Sequence, residues 1–394
     1  MTDPERDSMA LHDRRLDVPL AAYIHLPWCV QKCPYCDFNS HRVPRQLPES
    51  AYIEALMADW ALASRHEIRP LESVFIGGGT PSLFSAASIE RILSVIDHSL
   101  GLTRDCEITL EVNPGTSERG AFADWQAAGV TRISLGVQSL DDSQLHRLGR
   151  IHDAASARNA VTEARQAGFE HLNCDLMFGL PDQTIAEAAA DLDALIALDP
   201  SHVSYYQLTF EPGTPFYKNP PRRAVDDDLA TMADAGAERL RNAGLKRYEI
   251  SAFAVPGEFC RHNDHVWRFG DYLGVGAGAH GKQTQANGHI ERTARISWPT
   301  GYQAAAGNAR AIAESRWLDS DDTWFECLLG ALRRPGGITR RDFVSRTGLS
   351  WTSLLTKCHH LIERQLLNAS DERLTTTQLG WAHLDTILAD LEPT

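Results

Sequence analysis

The stretch YIHLPWCVQKCPYCDFNSH, residues 23–41, places Cys29, Cys33 and Cys36 in one short loop. Their spacing is C-x3-C-x2-C, and an apolar, strand-like run comes directly before them. Three thiolates so spaced can wrap one iron–sulfur cluster, because cysteine sulfur holds cluster iron. Four ligands are usual, so a 4Fe–4S cube held by three leaves one iron open to a small molecule. An open iron suits the cleavage of S-adenosylmethionine (SAM) to a radical, a reaction whose hard chemistry belongs to the cofactors. Pro34 stiffens the loop by fixing φ, and Lys32 adds positive charge that favours thiolate. Zinc is the competing reading, and it calls for a second cysteine pair or a Cys/His partner set. His25 and His41 flank the loop, but the sequence holds no second knuckle.

The loop follows the first of six strand-like runs: AAYIHL (21–26), SVFIGG (73–78), EITLEV (107–112), RISLGV (132–137), HLNCDLMFG (171–179) and HVSYYQL (202–208). Helical stretches near 49–66, 86–99, 117–128, 153–167 and 183–197 lie between them. Strand and helix alternating in this way predict a parallel sheet, closed or partly closed into a barrel.

Polar residues gather after these runs: GGGTP (77–81), Glu111 with Asn113, Gln138 with Ser139, and Gln207 with Thr209. Parallel barrels build their sites at the C-terminal ends of the strands. Glycines at 77–79 allow close approach of a ligand, or simply a tight turn. Glu111 can accept two ribose hydroxyls, and Gln138 can read an amide or hydroxyl. Arg150 can pair with a carboxylate or stand as a surface charge. Asp175 sits inside an apolar run and needs a partner: a cationic group of SAM, Arg150, or a structural pair.

Past residue 214 the pattern loosens into a helix at 226–243 and a strand YEISAFA (248–254). CRHNDHVWRFGDY and the glycine-rich GVGAGAHG (274–281) follow. The latter lacks the strand and helix frame of a dinucleotide site and reads as a tight turn. The expected organisation is a frayed tail (1–18), a barrel with a C-terminal extension (19–282), a connecting segment (283–319) and a second domain (320–394). Short helices, the hairpin LLNASDERLTTT (366–377) and a last helix at 378–391 give that domain a winged-helix-like α+β pattern. Six Lys and Arg against seven Asp and Glu over 335–394 leave it without a basic footprint, so it reads as a lid or docking surface.

A net charge of −14 over 394 residues argues against nucleic acid as a partner. The 43% hydrophobic content is enough for a full core. No apolar run reaches the roughly 18 residues of a membrane span, and the charged start lacks a secretory h-region. The other five cysteines are scattered singly, which predicts reduced thiols and a cytoplasmic location.

The cysteine loop resembles the radical-SAM superfamily, whose motif carries an aromatic before the last cysteine, here Tyr35. Over nearly its whole length the chain resembles the oxygen-independent coproporphyrinogen III oxidase family. The matching stretches are YIHLPWCVQKCPYCDFNS, FIGGGTPS, LEVNP, RISLGVQS, LGRIH, NCDLMFGLP and the C-terminal module. The resemblance implies an α/β fold, a partial (β/α)6 barrel with a winged-helix-like domain. It implies two SAM sites, with Tyr23, Gly78 and Glu111 at the first. Tyr35, Gly79, Thr80, Gln138, Arg150 and Asp175 would serve the second.

Two departures point to a subgroup. True oxidases of this type carry a further cysteine two residues after the third, where this chain has Phe38. They also have a longer arm before the motif. HNDHVW (262–267) resembles the HNxxYW signature of the HemW-type haem chaperones, with Val266 in place of the tyrosine. The resemblance thus implies a protein that binds a 4Fe–4S cluster, SAM and haem and hands haem to clients. The alternative is SAM-dependent oxidative decarboxylation of coproporphyrinogen III. Within CRHNDHVW, His262 is the expected haem ligand; otherwise His262 and Asn263 cap a turn and Trp267 fills the core between barrel and tail. The implied partners are haem or another tetrapyrrole and a client haemoprotein, with membrane contact at most peripheral and room for a homodimer.

Overall fold

The computed structural model describes residues 13–115 and 122–393. Most of the expected 1–18 tail, and the start of the helix expected at 117–128, lie outside the described residues. Six parallel strands form the centre: β1 (Leu20–Leu26), β2 (Leu71–Gly78), β3 (Leu102–Val112), β4 (Arg132–Gln138), β5 (His171–Phe178) and β6 (His202–Gln207). They neighbour one another in sequence order. β1 is buried along almost its full length, as a parallel strand covered on both faces must be.

The helices between the strands carry readable start signals. Ser85 accepts a hydrogen bond from Ser88 N–H to cap Ala86–Leu100, and Thr184 with Glu187 forms a capping box on Ile185–Ile196. Ala86–Leu100 buries Ile89, Ile92, Leu93 and Ile96, one stripe at helical spacing, against the sheet. One continuous apolar core, including Ile24, Ile76, Leu110, Ile133 and Leu135, joins strands to helices.

The sheet extends beyond the barrel at both ends. β7 (Lys246–Arg247) and β8 (Ala252–Ala254) add to β6 as antiparallel strands. The expected strand at 248–254 is therefore shorter, because the Glu249 carboxylate accepts from Ser251 N–H and bends the chain. On the other side β9 (Asp271–Val275) pairs parallel with β1. β10 (His280–Thr284), β11 (Ile290–Arg295) and β12 (Ile312–Trp317) follow as an antiparallel meander. Residues 283–319, expected as a connecting segment, thus hold two full strands and the end of a third, completing a 12-stranded sheet.

The glycine-rich run is the tight turn expected of it. A Cβ at Gly274 would lie 1.7 Å from the His280 carbonyl oxygen, and one at Gly276 (φ +107°) 2.3 Å from that of His25. This close passage sets the turn against the cysteine loop, where Asn39 donates to the Ala277 carbonyl at 2.8 Å.

The C-terminal part is α+β, with β13 (Ile338–Thr339), β14 (Leu367–Ala369) and β15 (Arg373–Thr376) in one small sheet. The expected last helix breaks at His383 into Gln378–Ala382 and Leu384–Leu391. A second core of Trp324, Leu328, Phe343, Trp351 and Leu374 holds this part together. It seats on the short helix Arg261–Trp267: Arg334 pairs with Asp264 at 2.7 Å, and the Arg333 guanidinium stacks on Trp267 at 4.5 Å. No helix among the described residues is long and apolar enough to cross a membrane.

Candidate functional site

The C-terminal ends of β1 to β6 surround a cavity of about 410 Å³. Cys29, Cys33 and Cys36 stand at its rim, all free thiols. The loop is pinned from beneath, since Gly79 N–H donates to the Leu26 carbonyl at 2.8 Å and Thr80 N–H to that of Trp28 at 2.7 Å. A Cβ at Gly79 would lie 2.6 Å from the Trp28 carbonyl oxygen, so this contact requires glycine. Lys32 Nζ donates to the carbonyls of Phe38 and Ser40 at 3.0 and 3.2 Å and closes the loop. Burial pushes the thiols of Cys29 and Cys36 up, while Thr80 beside the first and Lys32 near the second pull the other way. Among the described residues no three His, Cys, Asp or Glu side chains converge on a single metal ion. A cube-type cluster takes each thiolate on a different iron, and three thiols at one rim fit such a group.

Of the expected SAM residues, Tyr35, Gly78, Gly79, Thr80, Glu111, Gln138, Arg150 and Asp175 all line this one cavity. Tyr23 does not; its hydroxyl hydrogen-bonds His25 Nδ1 at 2.9 Å, while His25 Nε2 bonds the Asn39 carbonyl. Burial lowers the His25 pKa to about 4, so the neutral ring links strand to cysteine loop.

Glu111 lies at the end of β3 and accepts from Gly78 N–H at 3.0 Å. Burial, then the nearby Asp175, raise its pKa from 4.5 to about 8. Asp175 is itself raised by burial and accepts from Asn173 at 2.8 Å. It forms no ion pair with Arg150, which instead spans the cavity. Arg150 Nη2 donates to the Gly136 carbonyl at 2.7 Å and to Asn113, and Nη1 points at Cys33 Sγ at 3.8 Å. Gln138 holds a left-handed φ of +68° beside a register break in β4 and accepts from the Tyr206 hydroxyl at 2.7 Å. A bulky residue in that conformation is uncommon and marks a site that the surroundings over-determine.

His262 also lies outside the cavity lining. It is 5% exposed, hydrogen-bonds Ser73 Oγ through Nδ1 at 3.0 Å, and packs on Phe75 with ring centroids 5.1 Å apart. Its neighbour Asn263, expected with it as a turn cap, does face the cavity; so do Arg132, Ser134, Asn173 and Tyr206, none of which the sequence reading singled out. The sequence does carry a signal for them: residues 132, 134, 136 and 138 alternate along one strand and share the inward face.

Residues 23–195 match the Radical SAM superfamily, and residues 318–383 match the HemN C-terminal domain. The fold is similar to that of coproporphyrinogen III oxidase (HemN) from Escherichia coli, with a TM-score of 0.80 over 95% of this chain and 90% of that one. Sequence identity there is 21%, so the likeness is one of fold. "Heme chaperone HemW" of Haemophilus influenzae is 42% identical over 375 residues, 94% of this chain and 97% of that protein. The Escherichia coli protein of the same name is 42% identical over 374 residues, with the same coverage. With an identity of that size running from the cysteine loop through the tail, the chain belongs to the HemW family within the radical SAM superfamily.

Proposed function

We propose that this protein is a haem chaperone that holds a 4Fe–4S cluster and SAM and passes haem to client proteins. The observation that carries the reading is the 42% identity to heme chaperones over 94% of the chain. Cys29, Cys33 and Cys36 would hold the cluster, and the fit rests on three free thiols at one rim. When bound, the cluster would supply electrons to SAM and an open iron to anchor it.

The chain's own groups supply the cradle. The amides of Gly79 and Thr80 already donate within the protein, so acceptors on this loop are what an ammonium group would find. Glu111 would take ribose hydroxyls. Arg150, Gln138, Tyr35 and Asp175 line the same cavity, where a second SAM would share groups that now bond neighbouring residues. Phe38, 60% exposed at the cavity edge, stands where the oxidase pattern has a cysteine. The domain limits given above remain part of this proposal, with the strands of 283–319 belonging to the barrel sheet.

Replacing any one of Cys29, Cys33 and Cys36 by Ala should abolish the broad visible absorption of the cluster after anaerobic reconstitution. A full 4Fe–4S spectrum in all three variants would remove the assignment. The function is tested by adding haem, then an apo-haemoprotein, to the reconstituted protein and following the Soret band. Binding and onward transfer are expected, with no decarboxylated porphyrin formed from coproporphyrinogen, SAM and reductant. Steady production of protoporphyrinogen would overturn the reading in favour of the oxidase.

A further inference from the structure

The floor of the cavity holds a charge that no described residue neutralises by contact. Arg132 is 3% exposed and lines the cavity. Among the described residues its guanidinium makes no hydrogen bond or ion pair. It sits at the start of β4, at the opposite end of that strand from Gln138. The carboxylate nearest to claim it, Glu107, is committed elsewhere. Glu107 Oε1 accepts from His262 N–H at 3.1 Å and from Cys260 Sγ at 3.5 Å, and Oε2 accepts from Arg261 N–H at 3.1 Å. Asp175, the other acid whose charge Arg132 feels, bonds Asn173 and does not reach it as an ion pair. Tyr248 and Cys260, also close, are driven toward their neutral forms by burial. His202 and His262 are neutral for the same reason.

A second unpartnered group faces the same floor. The Asn263 side-chain amide lines the cavity and has no hydrogen-bond partner among the described residues. It comes from the helix Arg261–Trp267, whose N-terminus Glu107 holds in place beneath the barrel. A planar guanidinium with five donors, beside an amide, is the chemistry that receives a carboxylate. A desolvated cation without a partner is costly, so the site gains most when an anion fills it.

We propose that Arg132 and Asn263 form a carboxylate seat at the cavity floor that takes a propionate of the bound tetrapyrrole. The seat deepens the haem reading and rests on it. A SAM anchored at the rim cysteines would present its carboxylate there, at the other end of β4 from Arg132. The HNDHVW segment then contributes to the guest through Asn263, while His262 supports the floor from behind, against Ser73 and Phe75.

The test compares iron protoporphyrin IX with its dimethyl ester, which lacks both negative charges. Both are titrated into the anaerobically reconstituted full chain. Wild type should bind the free acid about tenfold more tightly than the ester, the scale of one charge-assisted hydrogen-bonded pair. Arg132→Gln should lose that preference with ester affinity unchanged, and Arg132→Lys should keep part of it. Asn263→Ala should weaken the acid alone, and serves if Arg132→Gln does not fold. SAM affinity, read by calorimetry, should be the same in wild type and Arg132→Gln. Equal acid and ester affinities in wild type, or a preference that survives Arg132→Gln, would overturn the seat while leaving the haem reading intact. A variant that loses SAM instead of haem would assign the floor to SAM and overturn it too. If neither porphyrin binds wild type, the haem reading itself fails and the seat falls with it.

Discussion

Asp271→Ala is expected to lower the stability of the protein by about 3–5 kcal/mol, the cost of stranding buried charges. Asp271 is 0% exposed at the start of β9. Its Oδ1 accepts from Lys282 Nζ at 2.7 Å and Thr284 Oγ1 at 3.0 Å. Its Oδ2 accepts from Arg69 Nη1 at 2.9 Å and Thr284 N–H at 2.7 Å. Burial works against the charged carboxylate, but Lys282 and then Arg69 more than offset it and hold Asp271 below its ordinary range. Among the described residues Lys282, 1% exposed, donates only to this carboxylate and the Phe269 carbonyl, with its ammonium 4.0 Å from the centre of the Phe269 ring. Removing the carboxylate leaves an ammonium inside the sheet. It also frees Arg69, which ties the Val18 carbonyl to the foot of β1 at 2.8 Å. Urea unfolding of the two proteins at neutral pH measures the loss. The double variant Asp271→Ala, Lys282→Met should recover part of it, because fewer charges remain unpaired. A loss under about 1 kcal/mol would show that water reaches this cluster and screens it.

Glu111→Gln is expected to act in the opposite direction on the cluster-free protein. The carboxyl titrates near 8 in the fold against an ordinary 4.5. A raised acid pKa means the folded state holds the proton more firmly. Its contribution to stability is intact below about 4.5 and is lost as pH climbs through about 8. Glutamine keeps the shape and can still accept from Gly78 N–H, and it does not ionise. The variant should therefore match wild type near pH 5 and exceed it by about 2–3 kcal/mol at pH 8. Each pH unit over which only the unfolded chain has released its proton costs the wild type up to about 1.36 kcal/mol, and solvent in the cavity trims the total. Denaturation curves at the two pH values check this. A difference that does not change with pH would mean that Glu111 ionises freely. On the proposed function SAM affinity should also fall in this variant, because a neutral amide would replace the carboxylate proposed to accept the ribose hydroxyls. The site would thus give up stability for binding, as polar cavities built to receive a cation do.

Much of the barrel is legible in the sequence because its information is local. Cys29, Cys33 and Cys36 stand within eight residues of one another, and their reading needs no tertiary knowledge. The six strands announce themselves as short apolar runs, and capping residues such as Ser85 and Thr184 mark helix starts. The residues that end the strands fall at one rim because parallel βα units leave every strand pointing the same way. Gly78–Thr80, Glu111, Gln138 and Arg150 accordingly share one cavity.

Only the folded chain decided the rest. β9 pairs with β1 across some 250 positions of sequence, and its partner strands β10 to β12 carry too many polar residues to read as part of a barrel sheet. Tyr23, expected at a ligand, hydrogen-bonds His25 two residues along the same strand. His262, the expected haem ligand, is turned to Ser73 by the helix that presents Asn263 to the cavity. Arg132 and Asp271 look alike in sequence, each a charge at the edge of an apolar run. Asp271 finds two cations and Arg132 finds no anion in contact, because a buried charge is satisfied by whatever distant strands bring beside it. Local pattern can place a charge in a strand; only long-range pairing determines what it faces.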